Sequence, residues 1–192
     1  MSDPVATAST TADSNSVVSA YSNRLAKPWH LSDALLSFFG EWESGVLNGL
    51  NFKSQRVTDG FVLKAYLDDR GNPTVGMGHL IVSSDNIAVG ETITIDRARQ
   101  LARRDLATAE GAVNRRVMVP LLQFEYDALV SLTFNSGGGH GIDDLVEKVN
   151  TGQYQKMFDF IKTFRPGHKN TLAYRRYTEA KMFQAGVYDA TH

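Results

Sequence analysis

The sequence predicts a mainly helical α+β fold: one helix, a small β-hairpin lobe, then a helical bundle, with an active-site cleft between lobe and bundle. Three observations carry this. Residues 61–67 and 74–82 are rich in β-formers and flank a turn at 68–73. From residue 94 onward, apolar residues recur at helical spacing. Before residue 61 a single amphipathic segment, 32–43, stands apart from the later helices.

In chain order, residues 1–22 are rich in Ser, Thr, Ala and Asp and have too few large apolar groups to offset the entropy of ordering. They read as a flexible tail, 1–27, ahead of one catalytic domain, 28–192, that begins near Pro28-Trp29. The first helix, 32–43, is capped by Ser32 or Asp33. Leu35, Leu36, Phe38, Phe39 and Trp42 form its apolar stripe, and Ser44-Gly45 ends it. Residues 46–60 contain two glycines and mixed polar residues and read as a long loop. Thr94 caps the next helix, which carries Ile95, Ala98, Leu101, Leu106 and Val113 inward. Pro120 precedes a helix through Phe134, and Gly137-Gly138-Gly139 breaks the chain. A short helix, 142–149, ends at Asn150-Thr151-Gly152. Tyr154, Met157, Phe158, Ile161 and Phe164 predict an amphipathic helix that Pro166-Gly167 stops. A last helix, 171–185, stops at Gly186.

The 192 residues suffice for one domain with a full core. A hydrophobic fraction of 42% and a charged fraction of 21% are ordinary for a globular chain. The formal net charge of −1 gives no sign of a nucleic-acid partner. No cysteine is present, which excludes disulfides, thiolate chemistry and cysteine–zinc sites. The five histidines lack ligand spacing, so no metal or other cofactor is expected. No apolar run is long enough to predict a membrane span, and the N-terminus lacks the basic and apolar regions of a standard secretory signal.

The chemistry concentrates in residues 66–80, Tyr-Leu-Asp-Asp-Arg-Gly-Asn-Pro-Thr-Val-Gly-Met-Gly-His-Leu. Asp68 stands six residues before Thr74 across a turn, so a tight hairpin can hold a carboxylate and a hydroxyl side by side. Taken alone, Asp68 is also a good turn residue and Thr74 a good β-former. Gly76 and Gly78 suit close backbone packing better than phosphate binding, because no helix starts there. His79 reads as a structural hydrogen-bonding residue, Arg115-Arg116 as a solvated face, and Glu179 as an ion-pair partner within the last helix.

The pattern Tyr66-x-Asp68-x-x-Gly71-x-x-Thr74-x-Gly76-x-Gly78-His79 resembles the hairpin of phage-type lysozymes, the muramidases of glycoside hydrolase family 24. Asp127-Ala128-Leu129-Val130-Ser131 through Phe134-Asn135-x-Gly137 resembles the family's central helix and its cleft-facing end. Asn150-x-Gly152 resembles the turn after the next helix. Arg175-Arg176-x-x-Glu179-Ala180 and Phe183-x-x-Gly186-x-Tyr188 resemble its C-terminal helix. The resemblance covers about 33–190 in order.

It implies a lysozyme-like fold and cleavage of the β-1,4 bond between N-acetylmuramic acid and N-acetylglucosamine. It assigns Asp68 and Thr74 to the catalytic group, Tyr66, Leu80, Phe134 and Asn135 to substrate contact, and Arg175 and His79 to support. The expected partner is the glycan strand of peptidoglycan, met by a monomer. The enzyme would be made in the cytoplasm and act on the cell wall, as a phage endolysin or as an injected effector with a delivery-apparatus or immunity-protein partner. Lytic transglycosylase and non-catalytic peptidoglycan-binding readings stand beside hydrolysis.

The third catalytic carboxyl departs from the family's spacing. The position nine residues before Asp68 is Asp59, followed by Gly60, and an Asp is one methylene shorter than the family's Glu. Glu41 and Glu43 are the other candidates. Glu43 lies four residues after Phe39 and seven after Leu36, so it continues the apolar face. Glu41 follows Ser37 and Ala34 on a more polar face. Helical phase therefore favours Glu43 as the general acid, with residues 46–60 inserted before the hairpin. Contact with Phe and Trp would desolvate its carboxyl and raise its pKa; a guanidinium from Arg175 would oppose that.

Overall fold

The structure, a computed structural model, describes residues 24, 27–137 and 140–191. Most of the expected tail and the pair Gly138-Gly139 lie outside the described residues. The helices are α1 (Asp33–Ser44), α2 (Ile95–Arg116), α3 (Gln123–Ser136), α4 (Asp143–Asn150), α5 (Met157–Thr163) and α6 (Ala173–Ala185). The strands are β1 (Gly49–Leu50), β2 (Arg56–Thr58), β3 (Phe61–Leu67), β4 (Pro73–Gly76) and β5 (His79–Leu80). The fold is α+β and mainly helical. The described residues divide into two units: one runs from residue 33 to residue 105 with residues 189–191, the other comprises those before residue 33 and those of 106–188.

The first unit holds α1 and one antiparallel sheet in the order β1-β2-β3-β4-β5. The expected long loop at 46–60 thus contributes two short strands to the sheet. β1 and β2 are too short for β-propensity to reveal, and pairing makes them strands: β1 pairs with β2, and β2 with β3. Asp59 and Gly60 form the two-residue turn between Thr58 and Phe61. Both have positive φ, 51° and 83°, as a type I′ hairpin turn requires. Gly60 has a second constraint. A Cβ on Gly40 of α1 would stand 2.6 Å from the Gly60 carbonyl oxygen, so helix and turn meet backbone to backbone. Leu35, Leu36, Phe38 and Phe39 of α1 are buried, as are Val57, Phe61 and Val75 of the sheet. The opening of α2 is capped as expected: Thr94 Oγ1 accepts from the Arg97 N–H at 3.1 Å.

The second unit is helical. α3 is buried from Glu125 to Thr133 on every face, which makes it the central helix. Its Asp127 carboxylate accepts from Ser32 N–H, Ser32 Oγ, Gln123 Nε2 and the Tyr188 hydroxyl. Ser32 therefore spends its hydroxyl on Asp127. Burial pushes the Asp127 carboxyl up, and these four donors limit the rise. Ordered contacts begin before Pro28: Arg24 donates to the Pro120 carbonyl at 3.1 Å and forks onto Glu125. The expected helix from Tyr154 is a 3-10 turn over Tyr154–Lys156 followed by α5. Arg116 is not merely solvated, since it pairs with Asp143.

A second buried cluster pins α6 within the same unit. Glu179 is fully buried and accepts from Ser131 Oγ at 2.6 Å, from Arg175 Nε at 3.3 Å and from Arg176 Nη1. Arg176, equally buried, donates its Nε to the Phe164 carbonyl at 2.7 Å and its Nη2 to Asn135 Oδ1 at 2.6 Å. Glu179 is therefore the ion-pair partner expected within the last helix. That helix stops at Gly186, whose φ of 67° is left-handed.

Candidate active site

One face of the sheet collects the hairpin residues. Thr74 on β4 pairs in register with Tyr66 on β3 and with Leu80 on β5, so the three side chains share a face. Asp68 follows Tyr66 by two residues. The backbone pairing continues to it through Asp68 N–H to the Asn72 carbonyl at 2.9 Å, which keeps it on that face. Val62 pairs with Gly76, and the register shifts between Val62 and Tyr66.

Asp68 anchors the turn that carries it. Its Oδ1 accepts from the N–H groups of Asn72 at 2.7 Å and Arg70 at 2.9 Å, and its Oδ2 accepts from Asn72 Nδ2 at 3.1 Å. The Asn72 backbone N–H, followed by the Asn72 side-chain amide, holds the Asp68 carboxyl below the usual carboxylate range. The group is thus a fixed anion as well as a turn residue. Thr74 is buried and its Oγ1 donates to the Asn72 carbonyl at 3.1 Å. Both hydroxyl lone pairs stay available as acceptors.

Glu43 sits in the last turn of α1, which Gly45 ends with a φ of 82°. It lines a cavity together with Asn51, Phe52, Lys53, Tyr66 and Gly76, among others. The helical phase thus brings Glu43 to the hairpin as expected. The expected desolvation by Phe and Trp does not hold, because Glu43 is exposed. It lies past the point where α1 leaves the apolar core, and the stripe's phase outlasts its burial. The last turn of α1 carries two acidic residues and no basic one, which opposes the helix dipole by about 0.3–1 kcal/mol each.

Tyr66 stands among these charges. Burial pushes its phenol up; nearby Lys53 lowers it, while Asp68, Asp69 and Glu43 add to the rise. Asp59 has a different occupation. Its carboxylate takes 2.7 Å hydrogen bonds from Arg99 Nη2 and Ser37 Oγ, fastening the β2–β3 turn to α1 and α2.

His79 braces the same unit. It is buried, with Nδ1 2.8 Å from Asp105 Oδ2 and Nε2 3.0 Å from Asp85 Oδ2, and Arg104 Nη2 lies 2.7 Å from Asp85 Oδ1. Burial pushes the Asp85 carboxyl up, but the Val82 N–H, His79 and Arg104 together outweigh it and hold the group far below the usual range. Asp85 therefore stabilises the fold fully above an unfolded-state pKa near ~3.9, and that stability is lost as pH falls through its lower folded value. Asp85→Asn is expected to cost about 1.5–3 kcal/mol at neutral pH. It should also flatten the loss of stability between about pH 4 and pH 2, read from denaturant midpoints.

The remaining expected site residues lie in the other unit. Phe134, 43% exposed, and Asn135 end α3, and Arg176 already occupies Asn135 Oδ1. Arg175 directs its Nε at Glu179. Sequence reasoning missed Asn51, Phe52, Lys53 and Gln55, which line the cavity from the β1–β2 turn. The available signal was Asn51 and Ser54, two turn formers between Leu50 and Arg56. Among the described residues, no cluster of His, Asp or Glu gathers to hold a metal. No helix there is long and apolar enough to cross a membrane.

Comparison with known proteins agrees with this fold. The family model described as phage lysozyme matches residues 56–179. The match takes in Asp59, Asp68 and Thr74 and begins after Glu43. The endolysin of Salmonella phage P22 is 37% identical over 129 residues, covering 65% of this chain and 88% of that protein. The solved endolysin of Escherichia coli O157:H7 phage FAHEc1 is 28% identical, with a TM-score of 0.61, over 84% of this chain and 98% of that one. The muramidase domain of SpmX from Asticaccaulis excentricus is 25% identical, with a TM-score of 0.54, over 80% of this chain and 97% of that one. The hairpin, the central helix and the first half of the last helix fall in the expected order within the matched span, and the chain belongs to the phage lysozyme family, whose members are hydrolases of peptidoglycan.

Proposed function

We propose that this lysozyme hydrolyses the β-1,4 bond between N-acetylmuramic acid and N-acetylglucosamine, with Glu43 as general acid and Asp68 and Thr74 as the water-positioning pair. The observation that carries the reading is the single cavity wall shared by Glu43 and Tyr66, with Asp68 and Thr74 on the face of Tyr66. Glycoside hydrolysis needs one carboxyl to protonate the leaving oxygen and a second group to deliver the nucleophile. Glu43 donates its proton to the glycosidic oxygen as the C–O bond breaks. Asp68, held ionised by Asn72 and Arg70, faces the positive charge that develops at the anomeric carbon. The Thr74 hydroxyl accepts from the attacking water, whose proton passes to the Asp68 carboxylate. The resemblance implies inversion, which calls for roughly 6.5–9.5 Å between the carboxyl groups, room enough for that water.

Glu43 is exposed in the free protein. A sugar laid over the cavity removes that water and supplies the dry setting a general acid needs. Tyr66 and Leu80 contact the glycan from the sheet, and Phe134 and Asn135 are further glycan contacts that the family resemblance implies. Arg175 and His79 act indirectly, through Glu179 and through the Asp85–Asp105 brace. The protein acts on the cell wall as a monomer and reaches it through a delivery apparatus or a host lysis event.

Product chemistry tests the reading against transglycosylation, which uses one acid and no water. Digested peptidoglycan should carry reducing N-acetylmuramic ends, detected by borohydride reduction and mass spectrometry. Predominant 1,6-anhydro ends would overturn hydrolysis, and intact glycan at high enzyme concentration would favour a non-catalytic binder.

A further inference from the structure

β1 and the β1–β2 turn lie outside the family match, which begins at Arg56, the first residue of β2. Asn51 is buried, and its side chain organises the turn. Oδ1 accepts from the N–H groups of Lys53 at 3.0 Å and Gln55 at 2.9 Å, and Nδ2 donates to Gln55 Oε1 at 2.9 Å. The backbone adds Asn51 N–H to the Gln55 carbonyl at 3.0 Å and Ser54 N–H to the Asn51 carbonyl at 2.9 Å. Ser54 holds a left-handed φ of 58° inside this ring of bonds.

What this rigid tip presents is Phe52, 82% exposed. An exposed ring gains nothing from folding, and one exposed apolar side chain is ordinary by itself; what singles out Phe52 is its fixed place on the cavity wall. Phe52 lines the cavity that contains Glu43 and Tyr66. Lys53 straps the tip in place. Its Nζ lies 2.7 Å from both carboxylate oxygens of Asp69 on the β3–β4 turn and 5.6 Å from the Phe52 ring centroid. The strap joins the hairpin tip to the residue next to Asp68.

We infer that Phe52 is a sugar-stacking platform for one N-acetylhexosamine ring of the glycan strand, and that Lys53 is a positioning residue that holds the platform at the cavity. The apolar C–H face of a pyranose matches an exposed phenyl ring, and the rigid turn means little ordering cost on binding. The inference rests on the hydrolytic reading of the Glu43 cavity and adds a specificity determinant to it.

The test is steady-state kinetics on purified tetrasaccharide glycan fragments of peptidoglycan, with Glu43→Gln run in parallel. Phe52→Ala should raise KM about tenfold with kcat within about threefold, the signature of lost uniform binding. Phe52→Trp should stay within about threefold of wild type. Lys53→Met should raise KM about two- to fivefold, and Lys53→Arg should restore it. Melting temperatures should match wild type for Phe52→Ala, since the ring is exposed. An unchanged KM in Phe52→Ala beside an inactive Glu43→Gln overturns the platform alone. An active Glu43→Gln overturns the hydrolytic reading instead. Calorimetric binding of the tetrasaccharide then judges the platform by itself: affinity lost in Phe52→Ala supports it, and affinity equal to wild type removes it.

Discussion

Glu43→Gln is expected to lower kcat on peptidoglycan by about 10²–10⁴-fold, the range general acid catalysis supplies. The amide keeps the shape and hydrogen-bonding reach of the carboxyl but has no proton to give the leaving oxygen. Because Glu43 is exposed, the same change should move folding stability by no more than about 0.5 kcal/mol. Asp59→Asn should behave in the opposite sense. It loses the Arg99 pair, a half-exposed contact worth about 0–1 kcal/mol, and keeps the turn, because Asn-Gly suits a type I′ hairpin as well as Asp-Gly. Its activity should stay within a few-fold of wild type. Lysis rates and denaturation midpoints of the two variants check both halves.

The largest expected effect on stability lies in α6. Glu179→Ala removes the carboxylate paired with Arg176, where both side chains are buried. A guanidinium left inside a protein without its counter-charge costs about 3–5 kcal/mol. For a domain of this size that is a large part of the stability, and the urea midpoint should fall by more than about 1 M. Glu179→Gln should cost less, since an amide oxygen still accepts one bond. The loss also reaches the end of α3, because Arg176 holds Asn135, proposed above as a glycan contact, by its Oδ1. Glu179→Ala should therefore raise KM for glycan under conditions where the variant is folded.

Why some of this was legible follows from the range of each interaction. The helices show through local periodicity, and the Thr94 cap and the Gly186 stop need only neighbouring residues. The turn at 68–73 shows because Asp, Gly, Asn and Pro crowd between two β-forming runs. β1 and β2 do not show, since strands of two and three residues exist only by pairing. The dipeptide Asp59-Gly60 was open to reading as a hairpin turn, but the family's spacing made it a candidate acid first. Helical phase placed Glu43 towards the site, yet phase says nothing of where the core ends, and so the expected burial failed. The Asp127 and Glu179 networks join residues far apart in the chain and have no local signature.

Proton donation by Glu43 to the leaving group is the claim on which the rest depends. The most direct measurement is the rate of Glu43→Gln on two glycosides of the same sugar chain, one with a sugar leaving group and one with a dinitrophenol leaving group. The second needs no protonation. The account predicts that the variant fails on the first and approaches wild type on the second. Equal loss on both substrates would contradict it, because a residue that only binds or positions the chain is needed for either.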